Sequence, residues 1–309
     1  MNEPIKIFEP TIENALVTNG FATTRLLGEK ELHDLRTLYD KYFSEIVKKN
    51  KFNVDSNSDC NSDLKRTISN EIHKVVKPCI DKFFDDYEFI PAIFFVKKPG
   101  ANSPVPMHQD PTLLIDECEK THIKIWCPLL DVDGTNGTLQ MIKGSHLFVP
   151  PVSAVTVPSH FSKVDSLLYK AMECVPVKAG DALMFDNRTI HCSMPNLTDQ
   201  TRITVIVSIV AKQRQFISLF SDTTIKNPPI EVYYQDKDWY YSPLWCNTHE
   251  RPKTGIRVGI LDYQPFLVNE EDFESLVKNP RALVKYKYRV LSGMKHLFSK
   301  IGKLFTLPN

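Results

Sequence analysis

The chain has 309 residues, a length that suits a single domain over residues 1–309, and its 38 basic and 37 acidic side chains leave a formal net charge of +1. This balance gives no reason to expect a nucleic-acid partner, because nucleic-acid-binding surfaces carry an excess of Lys and Arg. Seven cysteines without CxxC spacing indicate neither a zinc site nor a disulfide framework.

The N-terminal third, residues 1–87, is predicted to be a helical support. Apolar side chains recur at helical spacing over 29–49 and again over 64–84, and the Asn-, Asp- and Ser-rich stretch 53–63 between them is typical of a loop. We expect these helices to pack against the outside of a sheet. The first residues show no signal pattern, and no apolar run approaches the roughly 18 residues of a membrane span, which predicts a cytoplasmic protein.

Short β-branched and aromatic runs, separated by Pro and Gly, dominate residues 88–212. Such runs are typical of a β-sandwich or barrel. The predicted strands are 89–96, 123–130, 138–142, 173–177, 182–185, 190–193 and 201–210. This region is therefore the expected core of the domain.

An HxD motif, His108-Gln109-Asp110, is followed 83 residues after His108 by a second histidine, His191. Two residues apart on an extended strand, His108 and Asp110 leave the same face and can bind one metal ion together. Two imidazoles and one carboxylate are the facial triad of non-heme Fe(II) oxygenases. Arg202 begins a β-branched strand after a turn, so it can return alongside His191. Its guanidinium can bind the far carboxylate of a dicarboxylic cosubstrate bidentately.

Further motifs surround this set in order. They are Asn19-Gly20-Phe21, Glu29-Lys30-Glu31-Leu32, Lys97-Lys98-Pro99-Gly100, Asn136-Gly137, Gly144-Ser145-His146 and Gly180-Asp181. With them, residues 19–212 resemble the phytanoyl-CoA dioxygenase-like family of Fe(II)/2-oxoglutarate oxygenases. The resemblance implies a mainly β fold, the double-stranded β-helix (jelly-roll, cupin-like), with N-terminal and C-terminal flanking helices.

The resemblance also implies roles for individual residues. The iron ligands, which form the catalytic centre, are His108, Asp110 and His191. Arg202 binds the 5-carboxylate of 2-oxoglutarate, and three more residues fall where family members contact this cosubstrate: Trp126, Ser193 and Gln109. Oxygen is the second cosubstrate, and ascorbate is a candidate reductant. The Lys97-Lys98 pair before Pro99 is more typical of a solvated surface than of such a site.

The carboxylate of Asp110 bears on the reaction, because halogenating relatives replace this ligand with a small residue and free a position for chloride. We therefore expect hydroxylation of an unactivated C–H bond in a small metabolite, with release of succinate and CO2. The substrate class stays open among a biosynthetic intermediate, a lipid, an amino acid and a carrier- or CoA-bound acyl group. Desaturation and cyclisation by the same iron chemistry are alternatives. A cupin-like metal-binding protein without catalysis, or without a cosubstrate, is a further alternative that Arg202 argues against.

Three segments lie outside these motifs. Residues 150–172 interrupt the strands and form either a lid over the iron or a surface loop. The extension 213–309 contains an aromatic cluster at 233–245, which either covers the open end of the barrel or lines a substrate pocket. Residues 282–305 predict a basic amphipathic helix that packs on its own protein, or contacts a carrier protein or a membrane surface.

The remaining histidines are interpreted more simply. His146 follows Gly-Ser in a family motif and is expected to form structural hydrogen bonds rather than to bind iron. No spacing assigns a role to His122, His160 or His249.

Overall fold

A computed structural model describes residues 3–50, 53–100, 103–115, 117–242, 249–261, 263 and 265–283. The strands are β1 (Lys6–Ile7), β2 (Phe21–Arg25), β3 (Val54–Asp55), β4 (Phe84–Asp85), β5 (Tyr87–Lys97), β6 (Val105–His108), β7 (His122–Pro128), β8 (Leu139–Met141), β9 (Glu173–Cys174), β10 (Asp181–Asp186), β11 (His191–Ser193), β12 (Arg202–Ala211), β13 (Phe216–Ser221), β14 (Ile230–Gln235) and β15 (Ile256–Leu261). The α-helices are α1 (Pro10–Asn19), α2 (Glu29–Tyr42), α3 (Ser44–Lys49), α4 (Ser62–Ile80), α5 (Asp165–Ala171) and α6 (Glu270–Lys278), and short 3-10 helices lie at Ser145–Leu147 and Lys237–Tyr241.

Two sheets form the centre of the molecule. The larger has the order β2-β10-β7-β12-β5-β3, and the smaller has the order β6-β11-β8-β9. Buried side chains from both sheets pack together between them, including Trp126, Leu183 and Phe185 from the larger sheet and Leu139 and Met141 from the smaller. Two facing sheets of short strands, connected out of sequence order, are a jelly-roll, so the predicted fold class is confirmed.

All seven predicted strand regions contain a strand, although 173–177 is reduced to the two residues of β9. The predicted helix 29–49 is divided at Phe43 into α2 and α3. Strand β6, which carries His108, and strands β13 to β15 were not predicted. Strands β2 and β3 come from the N-terminal third and join the larger sheet, so that region supplies strands as well as helices.

Alternation along the central strands decides which side chains reach the interior of the jelly-roll. On β7, Ile125 and Cys127 face the helices, whereas Lys124 and Trp126 face the opposite sheet. On β12, whose β-branched run favours an extended strand, Val205, Val207 and Ile209 face the helices in the same way. Polar and aromatic side chains on the inner faces are therefore placed by strand period alone.

Helices α2 and α4 pack on the outer face of the larger sheet, as the sequence predicts. Their buried apolar side chains form one core with those of β5, β7 and β12. Helix α4 begins at a favourable cap, because the side chain of Asn61 accepts a hydrogen bond of 2.9 Å from the backbone N–H of Leu64. This helical layer covers the outer face of the larger sheet, so the candidate site lies on the inner face.

Gly20 connects α1 to β2 at a close approach. Its φ of +85° lies in the left-handed region, and a Cβ built on it would lie 2.6 Å from Nδ1 of His146 and 2.8 Å from Oγ1 of Thr189. His146 lies beneath it with Nε2 3.1 Å from the carbonyl oxygen of Val17, so the expected structural hydrogen bond of His146 is confirmed.

Substituting Gly20→Ala should lower the free energy of unfolding by at least about 2 kcal/mol, because the added methyl meets two buried side chains in a backbone conformation that disfavours Ala. Chemical denaturation measures this difference. Gly134→Ala is the matched control, since among the described residues a Cβ there would meet only Sγ of Cys174, at an ordinary contact distance of 3.6 Å. Its effect should stay within about 0.5 kcal/mol. Equal effects of the two substitutions would contradict the steric argument.

Part of the C-terminal region is described, and its aromatic residues pack onto this core. Trp239 and Tyr240 of the predicted aromatic cluster are buried with Phe216 and Leu114 at one end of the larger sheet. The predicted basic helix, except for residues 282–283, lies outside the described residues, as does Trp245. Within the described residues, no helix combines the length and apolar character needed to cross a membrane.

Candidate metal centre

Strand pairing brings the HxD motif and the second histidine together. Strand β11 pairs antiparallel with β6, and His191 lies directly opposite His108. Asp110 follows β6 by two residues in the connecting loop. One ligand atom from each of His108, Asp110 and His191 lies within 4.8 Å of the others, and such a set can hold a metal ion.

The two imidazoles flank the carboxylate. Nε2 of His108 lies 3.6 Å from Oδ1 of Asp110, and Nε2 of His191 lies 3.9 Å from Oδ2. The Nδ1 atoms point away, because that of His108 is 2.8 Å from the carbonyl oxygen of Pro106 and that of His191 is 2.9 Å from the carbonyl oxygen of Thr189. When Nδ1 donates to a carbonyl, Nε2 keeps a lone pair for a metal. Both Nε2 atoms therefore face the space beside Asp110.

The charges around Asp110 favour its ionised form. Burial opposes ionisation, but the ammonium of Lys124, 3.1 Å from Oδ2, and the two imidazoles hold the pKa of Asp110 well below its usual range. Burial lowers the pKa of His191 to about 4, with the charge of His108 acting in the same direction. Burial opposes the charge of His108 as well, but Asp110 outweighs it and raises the pKa of His108. A carboxylate and a neutral His191 are the protonation states that a metal requires.

Arg202 is a buried cation in the same cavity. Arg202 is 1% exposed, its Nη1 donates to the carbonyl oxygen of Gly137, and its Nε has no hydrogen-bond partner among the described residues. The guanidinium carbon lies 5.3 Å from the ring centre of Trp126 and 5.7 Å from that of Phe95. Within the described part of the chain, no carboxylate forms an ion pair with it. Burial lowers the pKa of Arg202 to about 9, so it remains charged near pH 7.

Lys97 is buried beside Arg202, its register partner on β12, so the expectation that the Lys97-Lys98 pair is solvated is wrong for Lys97. Side chains alternate between the two faces of β5, and this alternation places the side chain of Lys97 on the inner face, as it does that of Phe95. Its Nζ donates to Oγ of Ser193 at 2.6 Å and to the carbonyl oxygen of Met194 at 2.6 Å. Burial, and then the charge of Arg202, lower the pKa of Lys97 to about 7. Because the Ser193 oxygen accepts from Lys97, its own hydrogen is available to a ligand.

Three further residues, predicted from the family resemblance to contact 2-oxoglutarate, have different surroundings. Trp126 and Ser193 line the cavity that contains the triad and Arg202, a space of about 340 Å³. Gln109 does not line that cavity, and its amide Nε2 donates to the carbonyl oxygen of Arg188 at 2.7 Å. Gln109 therefore connects the loop between His108 and Asp110 to the backbone at Arg188.

Sequence reasoning missed several residues of the cavity. Lys124 lies two residues before Trp126 on β7, so strand period would have placed it on the same face. Asp55, Asn57 and Ser58, from the stretch predicted only as a loop, line the cavity wall. No local signal marks them, because the loop reaches the site through the pairing of β3 with β5.

Of the other histidines, His122 is buried 3.8 Å from the carboxylate of Glu117 and lines neither of the two cavities beside the triad. His160 is also buried, with Nε2 2.7 Å from the hydroxyl of Tyr263. It lines a second cavity that adjoins the first at His108. His249 is exposed.

Comparison with known proteins identifies the family of the chain. The sequence profile of the phytanoyl-CoA dioxygenase (PhyH) family matches residues 24–204, more than half of the chain. A curated relative, "Phytanoyl-CoA dioxygenase 1" from Oryza sativa subsp. japonica, is 30% identical over 125 residues, which cover 39% of this chain and 44% of the rice protein. The similarity thus spans less than half the length of that relative.

Solved structures share the fold at low sequence identity. The epimerase SnoN, in complex with Fe3+, alpha ketoglutarate and nogalamycin RO, has a TM-score of 0.50 at 15% identity, with 84% of this chain and 96% of SnoN covered. The non-heme alpha ketoglutarate dependent carbocyclase SnoK has a TM-score of 0.48 at 18% identity, with 68% and 86% covered. On the strength of the profile match, the chain belongs to the phytanoyl-CoA dioxygenase (PhyH) family.

Proposed function

We propose that this protein is an Fe(II)/2-oxoglutarate-dependent oxygenase that hydroxylates an unactivated C–H bond of a small molecule. The observation that carries the proposal is the combination, in one cavity, of a His-Asp-His triad with a buried arginine that lacks a carboxylate partner among the described residues. Burying an unpaired cation is costly, so its presence in the cavity favours an anionic ligand there.

The donor set suits iron. Two imidazole nitrogens and one carboxylate oxygen are the ligands of non-heme Fe(II) oxygenases, and three positions then remain for other ligands. His108, Asp110 and His191 would hold the metal. When bound with 2-oxoglutarate and O2, iron supplies the oxidising chemistry in which one oxygen atom enters succinate, CO2 is released, and the other oxygen atom converts C–H to C–OH.

The residues of this chain would position the reactants. The guanidinium of Arg202 would bind the far carboxylate of 2-oxoglutarate through two parallel N–H donors, and the Ser193 hydroxyl, oriented by Lys97, would donate to the same end. The ring of Trp126, whose centre lies 5.3 Å from the guanidinium carbon, would shield that contact from water. The apolar side chains packed between the two sheets would limit the access of bulk water to the reacting atoms.

The fold alone does not determine the reaction, because SnoN, an epimerase, shares it. The outcome depends on which groups lie near the metal. Asp110 supports hydroxylation over halogenation, since its carboxylate would occupy the metal position that chloride needs. Desaturation and cyclisation remain alternatives within the same chemistry. A cosubstrate-free dioxygenase or a non-catalytic binding protein is less favoured, because neither accounts for Arg202.

Anaerobic titration of the apoprotein with Fe(II) and 2-oxoglutarate tests the proposal. We expect a weak visible charge-transfer band, which bidentate chelation of iron by the keto acid produces, and its loss in His191→Ala. Succinate release then provides a screen for substrates. Iron binding without the band would instead favour a cosubstrate-free dioxygenase or a binding protein.

A further inference from the structure

A second cavity, of about 540 Å³, adjoins the metal centre. It is lined on one side by the loop that carries the HxD motif and on the other by the insertion between β8 and β9. His108, Pro111 and Val155 line both this cavity and the triad cavity. A molecule in the second cavity would therefore contact a predicted iron ligand.

The insertion is hydrogen-bonded to the HxD loop and forms one wall of the second cavity. The backbone N–H of Thr112 donates to the carbonyl oxygen of Ser153 at 2.8 Å, and the N–H of Ser153 donates to Oγ1 of Thr112 at 3.0 Å. The hydroxyl of Ser153 also donates to the carbonyl oxygen of Gln109 at 3.2 Å. On either side of the exposed Val155, Val152 and Val157 are buried in an apolar cluster with Ile217. The wall is therefore held at both ends, with Val155 at the junction of the two cavities.

The lining is largely apolar, with hydroxyl groups and one carboxylate at its exposed edge. Apolar side chains include Met107, Phe161, Leu168 and Ile190, and hydroxyl groups come from Ser and Thr residues of the insertion. No Lys or Arg lines the cavity among the described residues, and its one carboxylate is the exposed Asp165. His160 is neutral near pH 7, because burial lowers its pKa to about 4.

Resting on the proposed function, we propose that this cavity, walled by residues 152–162, binds the organic substrate, and that this substrate is a neutral, largely apolar molecule with hydroxyl or carbonyl groups. A carboxylate or phosphate inside the cavity would lose its hydration without gaining a cation. The volume suits a ligand of drug-like size. Among the substrate classes left open by the sequence, this choice disfavours amino acids.

Two probes of equal length test the charge preference, octane-1,8-diol and octanedioate. Both probes carry a polar group at each end, so the eight-carbon chain cannot enter the cavity without one of these groups. Binding is measured by isothermal titration into the anaerobic protein saturated with Fe(II) and 2-oxoglutarate, so that Arg202 is already engaged. We expect the diol to bind and octanedioate to bind at least about tenfold more weakly. Equal or tighter binding of octanedioate, or no binding of the diol, overturns the proposal.

Substitutions test the location. Val155→Trp and, at the adjacent lining position, Ala154→Phe place a ring in the cavity and should weaken diol binding at least about tenfold. Val277→Trp is the matched control, since Val277 on α6 is 49% exposed, close to the 51% of Val155, and lines neither cavity. It should leave diol affinity unchanged. Unchanged affinity in both cavity variants overturns the location.

The charge-transfer band of the same samples separates this proposal from the function it rests on. The band reports chelation of iron by 2-oxoglutarate, and it should persist in Ala154→Phe, because Ala154 lines only the second cavity. Loss of the band in the wild type would contradict the proposed cosubstrate, whereas a normal band without diol binding would contradict only the substrate cavity.

Discussion

Replacing Asp110 with alanine should abolish substrate-dependent succinate formation, with a loss of more than about a hundredfold, because the triad loses its only anionic ligand. The two histidines would remain beside the ammonium of Lys124, which lies 3.1 Å from Oδ2 of Asp110 in the intact site. An unpaired cation next to two imidazoles disfavours a divalent metal. Succinate release and metal-induced thermal stabilisation measure the two consequences.

Two further variants separate the role of the ligand from general effects on folding. Asp110→Asn keeps the volume and removes the charge, and it should lose activity to a similar degree. Asp40→Ala removes an exposed carboxylate from α2 and should change neither activity nor stabilisation by metal. Retention of full activity in Asp110→Ala would show that this carboxylate is not an iron ligand.

The jelly-roll and the candidate ligands could be predicted because they depend on short-range patterns. The one-residue spacing of the HxD motif predicts that His108 and Asp110 reach one point, although Asp110 lies in the loop after β6. The turn after His191 leads to Arg202, on a strand of the opposite sheet. Ordered motifs supplied what periodicity does not, the pairing of distant strands. The family resemblance, and not strand period, therefore predicts that His191 lies beside His108.

Other features could not be predicted because they depend on tertiary contacts. A lysine beside Pro-Gly gives no sign that it will be buried, and the three oxygen atoms of Ser193 and Met194 that accept from the Nζ of Lys97 come from β11 and the turn that follows. The loop of Asp55 reaches the site through two residues of β3. The insertion after β8 carries no motif, and its relation to His108 follows from hydrogen bonds with Thr112 and Gln109.

The second large effect should come from Arg202→Met, which removes the guanidinium and keeps an apolar side chain between Trp126 and Phe95. A bidentate, charge-assisted contact with 2-oxoglutarate contributes about 2 to 3 kcal/mol. Its loss should raise the KM for 2-oxoglutarate roughly 30- to 150-fold, with little change in kcat at saturating cosubstrate. Steady-state kinetics with varied 2-oxoglutarate measure both parameters.

Arg188→Met provides the contrast that identifies Arg202 as a ligand-binding residue. Arg188 is equally buried, but it forms two hydrogen bonds of 2.7 Å with the carboxylate of Asp186. Breaking this pair leaves a buried charge and should lower the free energy of unfolding by about 3 to 5 kcal/mol. Arg202 has no such partner among the described residues, so Arg202→Met should change the stability of the apoprotein by less than about 1.5 kcal/mol. Stabilisation by 2-oxoglutarate should disappear in Arg202→Met alone. A large loss of apoprotein stability in Arg202→Met, with unchanged KM, would assign this arginine to the fold instead of the cosubstrate.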